Sequence, residues 1–278
     1  MNRIVIFTAS IFRHIIKELI FFAYTYLFRP IPRRFLAMRN NQRVIVLSYH
    51  RVNDDLRDSL TVGIEQFDRH MAILKQKYTV AAIADIVRGN VPRNTARPVV
   101  AVTFDDGYLD NYENAVPILL KHKIPAAFFI STGMIGSKNG FAHDLRKLGK
   151  ALPNMNWKQI AHMKQLGFTI GSHTVTHINC AKDDAGKVRE EIIKSKETIE
   201  DRLGIKEVMF AYPFGKMEDM NNEILEYVKK AGYIGCVSAY EGPNEKTLTP
   251  FNVLRMGIDS NFTILAFKAR LEGFTARE

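Results

Sequence analysis

Two aspartates side by side, Asp105 and Asp106, follow the apolar run VVAVTF, and two histidines four positions apart, His173 and His177, follow the stretch FTIGS. Adjacent carboxylates at the end of a buried run repel each other unless a cation or a shared proton separates their roles. Two imidazoles and one carboxylate make a three-donor set for a divalent metal with open positions for substrate, and the second carboxylate is then free to take a proton from an attacking water. The histidine spacing is not that of the H-E-x-x-H metalloproteases: Thr174 stands where those need a glutamate base, so the base has to come from the aspartate pair. On spacing alone, either aspartate can fill either role. The chemistry indicated is metal-assisted hydrolysis. Two histidines and a carboxylate also form the facial triad of non-haem iron oxygenases, an alternative that the free second aspartate weighs against.

Bringing these four side chains together takes strands whose ends converge. Short apolar runs alternate with amphipathic stretches, and strands are expected at 44–49, 78–83, 99–104, 126–131, 168–172, 208–212, 234–238 and 253–258. Phe67, Met71 and Leu74 lie at helical spacing in one intervening segment, and Val188, Ile192 and Ile199, closed by Gly204, in another. The pattern predicts an α/β fold, a distorted (β/α) barrel of about seven to eight strands over residues 44–278, with its chemistry at the C-terminal strand ends. Three more such ends carry polar or aromatic groups: His50 after VIVLSY, the turn AYPFG from Ala211, and Arg255 in FNVLRMGI.

TFDDG together with SHTVTH resembles the polysaccharide deacetylase family, the carbohydrate esterases of family 4 with NodB homology. NWKQIAHMKQLGF before the histidines and MFAYPFG after them extend the likeness over roughly residues 43–260. The resemblance implies a distorted barrel that removes N-acetyl groups from an aminosugar glycan or glycolipid with a divalent metal, usually Zn2+. It implies Asp105 as catalytic base, Asp106, His173 and His177 as metal ligands, and the Phe214 N–H as a donor to the oxyanion. Tyr212 and Pro213, with Tyr108 beside the aspartates, are expected to line the substrate groove. Trp157, which follows Asn156, fits a packing and capping position at a helix start.

The sequence departs from the family pattern twice. Many members place an arginine that orients the base where this chain has Ala211, and Arg255 is the candidate replacement because strand ends share one barrel face. The Leu-x-His stretch that usually ends the domain is absent after Arg255. LSYHRV instead resembles the first strand of a circularly permuted branch, like the deacetylases of poly-N-acetylglucosamine, which implies His50 as general acid at the same mouth. A deformylase, another amide hydrolase and a glycan-binding member with weak catalysis remain as alternatives.

The chain has 278 residues, 46% hydrophobic and 24% charged, which fits one large globular domain. Two cysteines, Cys180 and Cys236, are too few for a disulfide framework and read as small buried hydrophobes. Of the formal net charge of +10, residues 1–43 carry +7, from eight basic residues against Glu18. The charge is therefore local, and it argues for a membrane surface rather than nucleic acid. Arg3, Arg13 and Lys17 fall on one side of a helical wheel and Ile4, Ile11, Ile15 and Leu19 on the other, so residues 1–43 are expected to form an amphipathic membrane-associating helix and a basic linker. The run LIFFAYTYLF is too short to span a bilayer. The basic cluster and scarce cysteines place the barrel first on the cytoplasmic face of the inner membrane, with the periplasmic side left open.

Overall fold

The computed structural model describes residues 43–56, 58–90, 97–238, 242, 244–245, 248–260 and 263–272. The expected N-terminal amphipathic helix lies outside these residues. Among the described residues no helix is long and apolar enough to cross a membrane.

The chain begins with β1 (Arg43–Tyr49), β2 (Arg51–Val52), β3 (Thr61–Val62), α1 (Ile64–Lys77), β4 (Thr79–Val80), α2 (Ile83–Val87) and β5 (Val99–Phe104). A π-helical turn, Asn111–Ala115, then runs into α3 (Val116–His122), followed by β6 (Ala126–Ile130), α4 (Ala142–Leu148), α5 (Trp157–Gln165), β7 (Thr169–Ser172) and α6 (Ala185–Leu203). The remainder comprises β8 (Phe210–Ala211), a 3-10 turn (Met217–Asp219), α7 (Asn222–Lys230), β9 (Cys236–Val237), β10 (Asn244–Glu245), β11 (Met256–Gly257) and α8 (Ile264–Leu271).

The main sheet runs β10-β1-β5-β6-β7-β8-β9, with β4 also paired to β5 and β11 to β1. Its pairings are parallel except that of β1 with β10. The segment around β11 joins the two sides of the curl: Val253 bridges Val237 of β9, and Met256 and Gly257 pair with Leu47 and Ser48 of β1. One bridge on one side and two pairs on the other close the sheet only thinly, which makes it a curled, distorted barrel.

Successive strand residues point to opposite faces, and here the two faces have different partners. Ile45, Leu47, Val100, Val102, Phe128 and Phe210 belong to the large core beneath the helices, whereas Val44, Val46, Val99, Ala101, Phe129 and Met209 form a separate inner cluster. Ile83, Ile86 and Val87 of α2 join that inner cluster beside the first residues of β1 and β5. This corrects the expected strand 78–83: β4 is only Thr79–Val80, because from Ile83 the chain coils into a short helix that plugs the barrel floor. β8, β9 and β11 are likewise shorter than their apolar runs, and β2, β3, β10 and α2 carried no sequence signal strong enough to anticipate.

The helices follow expectation more closely. Phe67, Met71 and Leu74 of α1 are buried, and α6 ends on Gly204 in the left-handed conformation at φ 63°. Asn156 and Gln159 form a reciprocal cap at the start of α5, with Trp157 packed against the core. Cys180 and Cys236 are free and buried.

Candidate active site

Followed upward along the strands, the inner face changes from apolar to polar. On β1 the inward positions read Val44, Val46, Ser48; on β5 Val99, Ala101, Thr103 and then Asp105; on β6 Ala127, Phe129 and then Ser131; on β7 Gly171 and then His173. The strand register aligns these layers, since Tyr49 pairs with Phe104 and Ile130 with Ser172. His50 and Asp105 therefore leave the barrel on neighbouring strands at the same height, as do Ser131 and His173. The small lower layer matters to the upper one: a Cβ on Gly171 would lie 2.5 Å from Cδ1 of Phe129, so glycine lets that ring fill the interior directly below His173.

Arg255 is fully buried and grips Asp105 at two points, Nη1 to Oδ1 at 2.8 Å and Nη2 to Oδ2 at 2.7 Å. Its Nη1 also donates to Thr103 Oγ1 at 3.1 Å, its Nε donates to the Ser238 carbonyl, and Ser48 Oγ donates to Asp105 Oδ2 at 3.3 Å. A guanidinium suits a two-point grip on a carboxylate because its donors form a rigid fork. Arg255, in the segment leading into β11, thus meets Asp105 where Ala211 has no charged side chain to offer. Burial alone would raise the Asp105 carboxyl, but the charge of Arg255, then that of His173 and the Arg255 hydrogen bonds, hold it well below the usual carboxylate range.

Asp106 turns the other way. Its φ of 74° and the φ of 96° at Gly107 place two successive residues in the left-handed region, which swings its carboxylate over the barrel mouth. Oδ1 lies 3.6 Å from His173 Nε2 and 3.3 Å from His177 Nε2, and one donor atom from each of the three residues falls within 4.8 Å of the others. Neither Asp106 oxygen has a hydrogen-bond partner among the described residues, although both are buried. A buried carboxylate left so is costly unless a cation meets it. Burial, and then the charges of Asp105 and Asp144, push its carboxyl well above the usual range. Arg51 pairs with Asp58 and Asp144 and Arg255 with Asp105, whereas no arginine or lysine among the described residues is paired with Asp106.

The imidazoles are prepared to bind one. His173 Nδ1–H donates to the Ala211 carbonyl at 2.7 Å, which leaves the Nε2 lone pair facing Asp106. Burial lowers His173, and lowers His177 further with help from its histidine neighbours, which favours the neutral form that metal ligation requires. The loop between them is held by Glu191, which accepts the N–H groups of Val175 and Thr176 at 3.2 and 2.9 Å and the Thr176 hydroxyl at 2.5 Å. Thr174 and His177 in this loop have φ of 65° and 63°. Asp106, His173 and His177 could therefore hold a divalent metal.

The other expected residues lie as follows. His50 shares the field of Asp105, Arg255 and His173; burial lowers it to about 4, with Asp105 opposing and Arg255, His173 and Arg51 reinforcing. Phe214, at φ 64°, sets its half-exposed ring edge-on to His177 with centroids 4.9 Å apart. Tyr212 and Pro213 are buried, and the exposed large hydrophobic side chains of that wall are Phe214 and Met217. Tyr108 is 1% exposed, and its hydroxyl donates to Asp144 Oδ2 at 2.7 Å.

Sequence reasoning missed the α4 contribution. His143 Nε2 is bonded to the Tyr108 hydroxyl at 2.8 Å and lies 3.9 Å from Asp106 Oδ2, while Asp144 accepts Arg51 Nη1 at 2.7 Å. No apolar strand precedes His143 and Asp144, so the single signal for them was a lone His-Asp pair at a helix start. Glu191 was equally hidden, as one acid on an amphipathic helix.

The sequence pattern of the polysaccharide deacetylases matches residues 92–235. A Bacillus subtilis strain 168 protein, YxkH, whose name places it in that group, is 27% identical over 229 residues, which cover 82% of this chain and 75% of YxkH. The poly-beta-1,6-N-acetyl-D-glucosamine N-deacetylase of Staphylococcus aureus strain MRSA252 is 31% identical over 154 residues, 52% of this chain, and the match spans about half (48%) of that relative's length. In fold, the Streptococcus pyogenes deacetylase PplD superposes with a TM-score of 0.69 at 24% identity, covering 82% of this chain and 98% of PplD. With the family pattern spanning just over half of its length, the chain belongs to the polysaccharide deacetylase family of hydrolases.

Proposed function

We propose that this protein removes N-acetyl groups from an aminosugar in a cell-envelope polysaccharide or a lipid-linked glycan, using a divalent metal, most readily Zn2+, held by Asp106, His173 and His177. The observation that carries the reading is the buried Asp106 carboxylate, without a hydrogen-bond partner among the described residues and facing two imidazoles, next to a second carboxylate locked by Arg255. A metal so held supplies Lewis-acid polarisation of the amide carbonyl and of the attacking water. Asp105 receives the water's proton. Because Arg255 keeps it strongly acidic, Asp105 gives that proton up readily. His50, on the adjacent strand end and neutral at rest, takes up that proton and, as imidazolium, passes it to the nitrogen as the C–N bond breaks and its electron pair leaves with the amine. The Phe214 N–H stabilises the oxyanion. The products are acetate and a free amine on the sugar.

The segment 1–43, with its +7 charge and alternating apolar and basic faces, supports a reading in which it carries the barrel to an anionic membrane, first of all the cytoplasmic face of the inner membrane. Deletion of residues 1–43 is expected to abolish sedimentation with anionic vesicles. The decisive assay offers N-acetylglucosamine oligomers, and N-formyl counterparts, to metal-loaded protein and measures acetate or formate release, with Asp105→Asn as control. Acetate release that depends on Asp105 supports the proposal; formate alone shifts it to a deformylase, and neither product removes it.

A further inference from the structure

His50 sits in a gap between two ladders. The last main-chain bond of the β1–β5 ladder runs from Asp105 N–H to the Tyr49 carbonyl at 3.0 Å, and the next begins only at Arg51, whose N–H donates to the Leu60 carbonyl at 3.0 Å. The His50 carbonyl is instead taken by a side chain: Asn111 Nδ2 donates to it at 2.7 Å. Asn111 is fully buried, and the same Nδ2 donates to Asp110 Oδ1 at 2.9 Å. One helical turn on, Asn114 Nδ2 donates to the Val52 carbonyl at 2.7 Å, and Asn53 Nδ2 donates to Asp110 Oδ2 at 2.5 Å. Three side-chain bonds thus tie residues 50–53 to residues 110–114, the first turn after the Asp105-Asp106-Gly107 loop.

That turn is the π-helical segment Asn111–Ala115. Wide turns of this kind are rare and collect at functional sites, because the extra residue per turn redirects side chains that an α-helix would place elsewhere. Here the carboxylates of the site and the clamp on His50 are built from one continuous stretch, 105–114. A shift of β1 relative to β5 would otherwise change the separation of His50 and Asp105.

We propose that Asn111 is a positioning residue for proton transfer: through the His50 carbonyl it fixes the imidazole relative to Asp105 and the departing nitrogen, with Asn114 holding the following residues. The inference rests on the reading of His50 as proton donor. Its chemistry gives a selective signature, since an amine leaves only with a proton whereas a nitrophenolate leaves without one. Asn111 should therefore matter for an amide and little for an activated ester attacked at the same metal site.

The test uses metal-loaded full-length protein with an N-acetylglucosamine oligomer and with 4-nitrophenyl acetate as probes. Asn111→Ala is expected to lower amide turnover ~10-fold or more, within the range that misplacing a general acid costs, with ester hydrolysis changed less than ~3-fold and bound metal retained. In the His50→Ala background, adding Asn111→Ala is expected to have no further effect on the amide. Equal losses on both substrates, or an Asn111→Ala effect that persists without His50, would overturn the proposal while leaving the His50 reading standing. If His50→Ala itself shows no preferential loss on the amide, that reading fails and the positioning role with it. Should Asn111→Ala not fold, Asn111→Ser, whose hydroxyl is too short to reach the His50 carbonyl, is measured in the same way.

Discussion

Arg255 and Asp105, 150 residues apart in sequence, meet in a buried two-point ion pair between strand ends that are not hydrogen-bonded to each other, with β1 lying between them. Arg255→Ala leaves the Asp105 carboxylate buried without its partner. Losing one member of such a pair costs about 3–5 kcal/mol, which urea unfolding can measure. Without the guanidinium the Asp105 carboxyl rises, so the acid limb of the kcat/KM profile is expected to move to higher pH. Turnover is expected to fall ~10²-fold, the scale of a misplaced catalytic group, with the metal content unchanged. Arg255→Lys should fare little better, because an ammonium cannot make the fork. Undiminished turnover in either variant would remove Arg255 from the site.

Glu191 fixes the main chain between His173 and His177 through the N–H groups of Val175 and Thr176. Glu191→Ala is expected to weaken metal binding ~10–100-fold, as lost outer-shell support does in metal sites, and competition with a chelator of known affinity measures this directly. The fold should survive, since Val188, Ile192 and Ile199 continue to anchor α6.

Much of this arrangement was legible in the residues, because a strand end followed by a polar pair is a local pattern. Asp105, Asp106, His173 and His177 each stand directly after or a few residues beyond an apolar run, and the runs specify the barrel. Arg255 could be nominated only from the empty place at Ala211, since nothing in FNVLRMGI distinguishes a buried guanidinium from an exposed one. Asn111, Glu191 and His143 were illegible for a related reason: each is tied in by a hydrogen bond to main chain or to a side chain far away in sequence, and on helices and turns such residues look like ordinary polar faces. The strand 78–83 misled because an apolar run carries no information on whether it pairs or plugs.

Gly171 offers a test of the layered interior. Gly171→Ala would place a methyl 2.5 Å from the Phe129 ring and 3.0 Å from the Met209 carbonyl, so ring or strand must move. A loss of about 1–3 kcal/mol is expected, the usual cost of overfilling a packed interior. Because His173 comes two residues after Gly171, directly beyond β7, metal affinity should fall with stability. Phe129→Leu in the same chain should recover part of both, as relief of that one clash predicts.

His70 gives the pH dependence of stability a source outside the active site. It is fully buried, stacked on Phe267 with centroids 3.8 Å apart, and its Nδ1 shares a 3.2 Å bond with the Tyr49 hydroxyl. Its Nε2 has no partner among the described residues, and burial lowers the imidazole from its ordinary 6.5 to about 3. In the unfolded chain His70 takes a proton as the pH falls through about 6.5, whereas the folded protein resists until about 3, so stability is lost across that window on acidification. The slope is about 1.4 kcal/mol per pH unit for one proton, or about 2 kcal/mol between pH 7 and pH 5. His50 and the two metal-site imidazoles act in the same direction, so the comparison must be with a variant in which only this proton is removed. His70→Phe keeps an aromatic ring against Phe267 and loses the titrating group. Urea unfolding at the two pH values is expected to show a stability difference smaller by about 2 kcal/mol in His70→Phe than in the parent, and equal differences would mean that His70 is already protonated, or already exposed, in the folded protein.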